Sequence, residues 1–198
     1  MSLPSVEDAV ALYAAGWFPM DELGAAELPW YAAAERATFD LDPAARAALA
    51  RRLRRDVRAC ADWALTMDRE FDLVLALCAA PPSPEEGVWI TPRLQRLYRR
   101  LHRAGVAHSW ELRTPGGELA AGILGIVLGR AAMLECMRRI RPRAGNALLV
   151  RTLDALAAHG VELCDIQLPT PHTLRLGARL VGREEYDRRL AAALRPAG

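Results

Sequence analysis

The sequence contains no lysine, which is the first of several absences that narrow its interpretation. All 26 basic residues are arginine, so every positive side chain among them carries a permanent charge on a planar, fork-shaped group. The accompanying richness in Ala, Leu and Pro indicates a G+C-rich coding bias as the origin of this choice.

Cysteine is scarce and scattered. The four residues Cys60, Cys78, Cys136 and Cys164 form no CxxC pair, and no histidine stands at zinc-ligand spacing from them. This distribution argues against a disulfide framework and against a structural zinc site.

Long apolar runs are also missing. No run reaches the roughly 18 residues that a membrane-spanning helix needs, and the N-terminal residues lack the pattern of a signal peptide. We therefore expect a cytoplasmic protein that does not enter a membrane. The net charge is only +2, so total charge alone does not indicate a nucleic-acid-binding protein.

What is present is typical of a globular protein of one domain with a small N-terminal lobe. The chain has 198 residues, of which 52% are hydrophobic and 25% are charged. Three successive strand patterns at 107–113, 118–127 and 130–137 are joined by turn residues and predict an antiparallel meander. A long helix at 144–159 and a strand at 161–167 follow, which is an α+β pattern with mixed strand directions.

The remaining elements are predicted from apolar periodicity and from capping residues. Helices are expected at 5–15, 43–58, 71–79, 92–104, 172–178 and 183–194, strands at 37–41, 65–68 and 179–181, and a loop at 81–87.

The segment Val161-Glu162-Leu163-Cys164-Asp165-Ile166-Gln167 carries the most informative polar pair. Side chains alternate along a strand, so Asp165 and Gln167 are expected on the same face. A carboxylate beside an amide can hold an amine nucleophile and guide its proton. The alternative is a polar pair that only caps a nearby loop.

Seven short pieces together resemble one known family. They are Gly16-Trp17-Phe18-Pro19, Val88-Trp89-Ile90-Thr91, the run 98–105, Ala107-His108-Ser109-Trp110-Glu111, Glu135-Cys136-Met137, Leu163-Cys164-Asp165-Ile166-Gln167 and the run 172–178. Their order and spacing over residues 5–190 resemble those of the leucyl/phenylalanyl-tRNA–protein transferases. No single piece is specific, and the common register carries the resemblance.

The resemblance implies a C-terminal domain like the GNAT acyltransferases, at 61–198, and a small, shortened N-terminal domain with a basic helix, at 1–60. It implies transfer of Leu or Phe, and sometimes Met, from aminoacyl-tRNA to the α-amine of an acceptor protein that begins with Arg or Lys. The product is a degradation signal, an N-degron. The implied partners are aminoacyl-tRNA and proteins or peptides with a basic N-terminal residue, and the expected form is a monomer. This aminolysis requires no metal or organic cofactor.

The resemblance also implies roles for particular residues. Asp165 and Gln167 are the expected catalytic pair, in which Gln167 orients the amine and Asp165 is a proton relay or electrostatic partner. Glu135 is expected to bind the positive N-terminal residue of the acceptor. Met133 and Met137, on the same strand face as Glu135, are expected in the aminoacyl pocket, although plain core positions are the alternative.

Two further groups are expected to contact the 3′ end of the tRNA. Trp89, Phe18, Trp30 and Tyr31 can stack on the terminal adenine, with burial in the core as the alternative. If residues 43–58 form one helix, Arg51, Arg54, Arg55 and Arg58 share one face and can contact acceptor-stem phosphates. A solvated charged face is the alternative interpretation of these arginines.

The segment around 138–143 departs from the family pattern. Arg138, Arg139, Arg141 and Arg143 crowd a region in which the family has Phe and Ser after the Glu and Met, and Ala144-Gly145-Asn146 stands where Ala-Ser-Lys is usual. These arginines either add contacts to tRNA phosphates or shift acceptor preference towards an acidic N-terminus.

Two other functions remain open at this stage. An acetyl-CoA-dependent GNAT acetyltransferase is disfavoured because Pro142 stands where such enzymes have Arg or Gln in their pyrophosphate loop. A tRNA-end or N-degron-binding protein without catalysis is disfavoured by the presence of Asp165 and Gln167, and favoured by the altered surroundings of Glu135.

Overall fold

The computed structural model describes residues 3–22, 24–81 and 87–196. Within these ranges the strands are β1 (Phe18–Pro19), β2 (Trp30–Tyr31), β3 (Glu35–Phe39), β4 (Ala64–Met67), β5 (Ala107–Arg113), β6 (Leu119–Leu128), β7 (Ala131–Arg139), β8 (Leu163–Asp165) and β9 (Arg179–Gly182). The helices are α1 (Val6–Ala14), α2 (Pro43–Arg52), α3 (Arg54–Ala59), α4 (Phe71–Ala79), α5 (Pro92–Arg103), α6 (Ala144–Ala158), α7 (Pro171–Leu176) and α8 (Arg183–Ala193). The loop predicted at 81–87 lies mainly outside the described residues.

The helices begin at local sequence signals. The Ser5 hydroxyl accepts the Asp8 N–H at the start of α1, and the Asp42 carboxylate accepts two N–H groups at the start of α2. Thr91 and Pro92 begin α5 in the same way. No helix in the described ranges has both the length and the apolar character that crossing a bilayer requires.

The predicted helix 43–58 is wrong in one respect, because it is interrupted at Leu53. Leu53 ends α2 and precedes α3, with φ −98° and ψ 15°, and its side chain is buried. Four arginines flank it, and like charges three or four residues apart destabilise a helix. The predicted stripe of arginines therefore becomes a cluster around a helix break.

Seven strands form one sheet in the order β4-β5-β6-β7-β8-β3-β9. The predicted meander is confirmed, because β5, β6 and β7 pair as antiparallel neighbours. The pair β7–β8 is parallel, and every other pair in this sheet is antiparallel. The short strands β1 and β2 pair separately with each other.

The sheet separates two apolar cores. One contains side chains of α1, α4, α5 and α8, and the other contains side chains of α2, α6 and α7. Burial of apolar surface on both faces stabilises such a layered fold by roughly 25 cal/mol per Å² removed from water. It also explains why β6 is apolar along nearly all of its length.

A bulge in β7 changes which side chains share a face. Leu124 pairs with Cys136 and Gly125 pairs with Leu134, so Glu135 has no partner on β6. Gly125 is required there, because a Cβ atom would lie 2.8 Å from the Met133 carbonyl oxygen. A bulge residue shifts the alternation of its strand by one position.

The division predicted at residue 60 stays a prediction. Strand β3, from the predicted N-terminal part, pairs with β8 through Thr38 and Asp165 and with β9 through Arg36 and Val181. The large sheet is thus built from both parts of the chain.

Candidate active site

The candidate site lies where β7 and β8 part. Their parallel pairing ends at Met133 and Asp165. Beyond this point β7 continues to Arg139, whereas the chain after β8 leads to α7. Glu135 on β7 and Ile166 after β8 border the cleft between the two strands, and buried Asp165 lies where their pairing ends.

Asp165 is fully buried and its carboxylate is already bonded on both oxygens. The Tyr186 hydroxyl donates to Oδ2 at 2.9 Å, and the Gln167 backbone N–H donates to Oδ1 at 2.8 Å. The Arg36 guanidinium forms a fork with the same carboxylate, through Nε to Oδ1 at 3.2 Å and through Nη2 to Oδ2. Burying a charge is costly unless it is paired and hydrogen-bonded, and Asp165 satisfies both conditions.

Arg36 is itself fixed from several sides. Its Nη1 donates to the Gly16 carbonyl oxygen at 2.8 Å. Its guanidinium carbon lies 4.9 Å from the Phe18 ring centroid and 4.6 Å from that of Tyr186, within the range of cation–π attraction. Only 1% of Arg36 is exposed. The guanidinium is therefore a rigid support for Asp165.

Sequence reasoning missed Arg36, together with Tyr13, Tyr98 and Tyr186. The predicted strand began at residue 37, which left Arg36 just outside it. The sequence did contain a signal for Arg36, because it directly precedes the apolar residues of the predicted strand. An arginine buried at such a position needs an anionic partner.

Gln167 lies between two cavity-lining residues, Ile166 and Leu168, but it is not positioned by the predicted strand. β8 ends at Asp165, so alternation along a strand does not place Gln167, and that part of the prediction is wrong. Its backbone has φ +56°, a left-handed conformation that is uncommon for glutamine. The bond from its N–H to Asp165 and the bond from the Ala37 N–H to its carbonyl oxygen, at 2.9 Å, hold this conformation.

The side-chain amide of Gln167 has a donor that the described residues leave unsatisfied. Its Nε2 is buried and has no hydrogen-bond partner among the described residues. Leaving such a donor unpaired costs about 1–3 kcal/mol. Strained backbone and unpaired polar atoms are features that proteins concentrate at functional sites.

Glu135 has a similar unpaired atom. The Tyr98 hydroxyl donates to its Oε2 at 3.2 Å, whereas Oε1 is inaccessible to solvent and has no partner within the described ranges. Although part of the residue is exposed, burial of the carboxyl group raises its pKa to about 8. The Tyr13 hydroxyl lies near this carboxyl group and opposes the rise of its pKa, as the Tyr98 hydroxyl does.

An apolar cavity of about 290 Å³ opens beside the cleft. Its lining includes Phe39, Ile123, Leu134, Met137, Leu149 and Leu176. Glu135 and Ile166, from the two parting strands, also border it. Its apolar lining suits a branched aliphatic or aromatic side chain.

The bulge at Glu135 separates the two predicted pocket methionines. Met133 is 1% exposed and packs in the core that contains Tyr98, whereas Met137 packs against the opposite core and lines the cavity. The expectation that Met133, Glu135 and Met137 share a strand face is therefore wrong. Of the two methionines, Met137 is the one that the structure places at the cavity.

The predicted stacking residues surround the buried network. Phe18 is buried under Arg36, and the Trp30 ring makes an edge contact with the Tyr13 ring at 5.2 Å between centroids. Trp89 is half-buried against the same core. Tyr31 is 38% exposed, and its hydroxyl donates to Glu22 at 2.9 Å. Contact of these four with an RNA base stays a prediction.

The predicted phosphate-binding arginines are all exposed. Arg51 lies at the end of α2, Arg54 and Arg55 lie in the first turn of α3, and Arg58 lies near its end. Arg51, Arg54 and Arg55 also line a shallow depression around the break at Leu53. Their role in binding RNA stays a prediction.

Known structures define the class to which this fold belongs. The crystal structure of FemX superposes on the chain with a TM-score of 0.58, covering 88% of this chain and 66% of FemX at 12% sequence identity. The chain thus shares the fold of that protein, and its large mixed sheet confirms the predicted α+β class. The GNAT-like C-terminal domain and the small, shortened N-terminal domain stay predictions.

Sequence comparison then identifies the family. A family profile described as leucyl/phenylalanyl-tRNA protein transferase matches residues 41–191. The leucyl/phenylalanyl-tRNA–protein transferase of Paracoccus denitrificans is 41% identical over 192 residues, which cover 96% of this chain and 86% of that protein. That of Prosthecochloris aestuarii is 35% identical over 190 residues, 96% of this chain and 95% of that protein. The chain belongs to the leucyl/phenylalanyl-tRNA–protein transferase family of aminoacyltransferases, as its motifs predicted.

Proposed function

We propose that the protein transfers Leu or Phe, with Met as a further donor, from aminoacyl-tRNA to the N-terminal α-amine of a protein that begins with Arg or Lys. The observation that carries this proposal is an apolar cavity bordered by Glu135, whose Oε1 is buried and unpartnered among the described residues, as is Nε2 of the nearby Gln167. The cavity suits the aminoacyl side chain, the Glu135 oxygen suits a cationic acceptor side chain, and the Gln167 Nε2 donor suits a carbonyl oxygen. The product is a protein marked by an N-degron.

The reaction is the aminolysis of an ester. The amine nitrogen attacks the ester carbonyl carbon, the C–N bond forms, the bond to the ribose oxygen breaks, and a proton moves from the nitrogen to that oxygen. A free α-amine has a pKa of about 7.7–8.0, so a useful fraction is neutral in the cell. Catalysis here is mainly positioning, together with stabilisation of the developing oxyanion.

Gln167 provides both kinds of contact. Its side-chain oxygen can accept a hydrogen bond from the attacking amine, and its Nε2, unpaired in the free protein, can donate to the carbonyl oxygen as negative charge develops. Its left-handed backbone is held by hydrogen bonds, which fixes the point from which the side chain extends. This arrangement supports the expected role of Gln167 in orienting the amine.

For Asp165, the geometry favours the electrostatic role over that of a proton relay. Both of its oxygens already accept bonds from Arg36, Tyr186 and the Gln167 N–H, and the residue is fully buried. It acts on the substrate through Gln167, whose backbone it holds. Asp165 is thus a positioning residue in this proposal.

Glu135 is the proposed anchor for the cationic side chain of the acceptor. Its carboxyl group is largely neutral at pH 7, because burial raises its pKa to about 8. An entering guanidinium or ammonium group favours ionisation, and Oε1 then accepts its hydrogen bond. Acceptor binding therefore releases a proton from the protein.

The test is a transfer assay with radiolabelled Leu-, Phe- and Met-tRNA and peptides that begin with Arg, Lys, Asp, Glu or Ala. We expect transfer of Leu and Phe to the Arg and Lys peptides. Transfer confined to the Asp and Glu peptides would assign the arginines of 138–143 to acceptor choice and overturn the basic-acceptor proposal. Binding of tRNA without transfer to any peptide would indicate a protein that only binds its ligands.

A further inference from the structure

A second cavity, of about 270 Å³, adjoins the apolar one. It is lined by Met137, Arg139, Arg143, Gly145, Asn146 and His172. Met137 and His172 border both cavities. A single wall of side chains therefore separates an apolar space from a basic one.

The charge in this second cavity is not balanced by its lining. No carboxylate lines it, and Arg139 makes no ion pair among the described residues. Arg143 has only a distant contact, 3.8 Å from its Nε to Asp56 Oδ1, and Asp56 also accepts a 2.6 Å bond from the Asn146 amide.

The other two arginines of this segment differ. Arg138 donates to the Ala80 carbonyl oxygen at 3.0 Å, and Arg141 pairs with Glu118 at 2.8 Å. Of the four, Arg139, which has no ion pair among the described residues, and Arg143, which has only the 3.8 Å contact to Asp56, line the cavity. The arginine guanidinium is the side chain best matched to a phosphate, because its fork can donate two parallel hydrogen bonds.

Because the basic cavity adjoins the apolar one, a phosphate close to the aminoacyl ester is the anion best placed to enter it. In an aminoacyl-RNA, the phosphodiester nearest to the ester lies on the other side of one ribose. We propose that the second cavity binds this phosphodiester, which joins the terminal adenosine of the donor to the preceding nucleotide, through Arg139 and Arg143. The proposal rests on the proposed function, because it places the aminoacyl group in the apolar cavity next door.

The cavity also connects the reaction centre to the arginine cluster predicted from the sequence. Asp56, which holds Asn146 at the cavity, follows Arg54 and Arg55 on α3. A single-stranded RNA end that leaves the cavity in this direction meets exposed arginines at once. Successive phosphates along one strand are what such a basic path can follow.

The test compares two small donors that differ by one cytidine 3′-phosphate unit, and the arginine variant then isolates the contribution of the phosphate. One is leucine esterified to adenosine, and the other is leucine esterified to the dinucleotide CpA. For the unaltered protein we expect kcat/KM to be roughly tenfold to a hundredfold higher with the CpA ester, the range expected for a charged hydrogen bond. In the variant Arg139→Ser/Arg143→Asn we expect this ratio to fall to near one.

A matched control removes one arginine elsewhere. Arg96, exposed on α5, lies outside both cavities, and Arg96→Ser should leave the ratio of the two donors unchanged. A ratio that stays high in the double variant overturns the phosphate site. An equal loss with both donors does so too, because it points to damage of the fold or of the apolar cavity.

A binding measurement separates this proposal from the proposed function. CpA without an esterified amino acid should bind the protein more tightly than adenosine, by the same factor as above. The double variant should bind the two equally. If no transfer from intact Leu-tRNA is seen but this difference persists, the phosphate site stands and the proposed transfer fails. If transfer is seen and CpA binds no better than adenosine, the phosphate site fails alone.

Discussion

Asp165 and Glu135 lie on neighbouring parallel strands, but their surroundings differ in nearly every respect. Asp165 is fully buried, is paired with Arg36 and accepts bonds from Tyr186 and Gln167. Glu135 is close to the cleft, accepts one bond from Tyr98 and retains an unpartnered oxygen. One carboxyl group has all its partners within the protein, and the other lacks one.

This difference suggests that Asp165 has a structural role and that Glu135 has a ligand-binding role. A charge whose partners are all supplied by the protein is rigid and holds its neighbours in place. A polar group that is left short of a partner gains more from a ligand that supplies one. Gln167 has both properties. Its backbone N–H is bonded within the protein, to Asp165, whereas its side-chain Nε2 lacks a partner in the described ranges.

The largest effect is expected from breaking the ion pair. Arg36→Gln and Asp165→Asn each leave a buried charge unpaired and should lower the free energy of unfolding by about 3–5 kcal/mol. Urea-induced unfolding at pH 7 measures this loss. The double variant Arg36→Gln/Asp165→Asn should lose less than the sum of the two, and strict additivity would show that the pair is not coupled.

Gln167→Met removes the buried side-chain nitrogen that lacks a hydrogen-bond partner among the residues described. We expect transfer to fall about 10²-fold, the usual loss when one oriented donor is removed. Because the buried Nε2 has no partner, the free energy of unfolding should stay the same or rise. Gln95→Met is the matched control, since it removes an amide from α5 that donates to the Ile90 carbonyl oxygen. Equal loss of transfer in both variants would sink this assignment.

Glu135→Gln should remove a pH dependence of stability. The pKa of Glu135 in the folded protein, about 8, is above its ordinary value of 4.5. The stability that follows from this shift is complete below pH 4.5, declines as the pH rises, and is lost above pH 8. The difference in unfolding free energy between the unaltered protein and Glu135→Gln should therefore fall by at most about 1.4 kcal/mol per pH unit across that window. A difference that is flat from pH 5 to 8 contradicts the buried, neutral form.

The same group should make acceptor affinity depend on pH. A peptide with N-terminal acetyl-arginine cannot react, and its guanidinium does not titrate in the relevant range. As a competitive inhibitor it should bind more tightly as the pH rises to 8, because Glu135 is then ionised more easily. In Glu135→Gln this trend should vanish, and a trend that survives would move the acceptor contact to another residue.

The smallest effect concerns the two methionines. Met137→Val enlarges the apolar cavity and should shift the ratio of Phe to Leu transfer towards Phe, by roughly tenfold at most. Met133→Val alters the core behind the sheet and should cost about 1 kcal/mol or more of stability without moving the ratio. A shift of the ratio in the Met133 variant alone would place the aminoacyl pocket on the other face.

Much of the fold could be predicted because its signals are local. Capping residues marked the starts of α1, α2 and α5, and turn residues marked the ends of the strands in the β5–β7 meander. The features that escaped prediction depend on pairing between distant segments. The bulge at Glu135 exists only relative to β6, and the ends of β8 are set by its neighbours β3 and β7.

The candidate site divides in the same way. Asp165, Gln167 and Glu135 were found through motifs, because their spacing is a property of short segments. Arg36 was not, because it is separated from Asp165 by 129 residues and no short-range pattern links them. The separation of Met133 from Met137 was equally hidden, since period-two alternation holds only in the absence of a bulge.

The place of β3 between β8 and β9 sets the order in which this protein can become active. A ribosome releases residues 35–39 long before it releases Asp165 and Val181, the strands' later partners. Contacts between such distant segments form slowly and late in folding. The candidate site is therefore completed by the first part of the chain only after the last part has emerged, so an unfinished chain lacks the ion pair of Arg36 and Asp165.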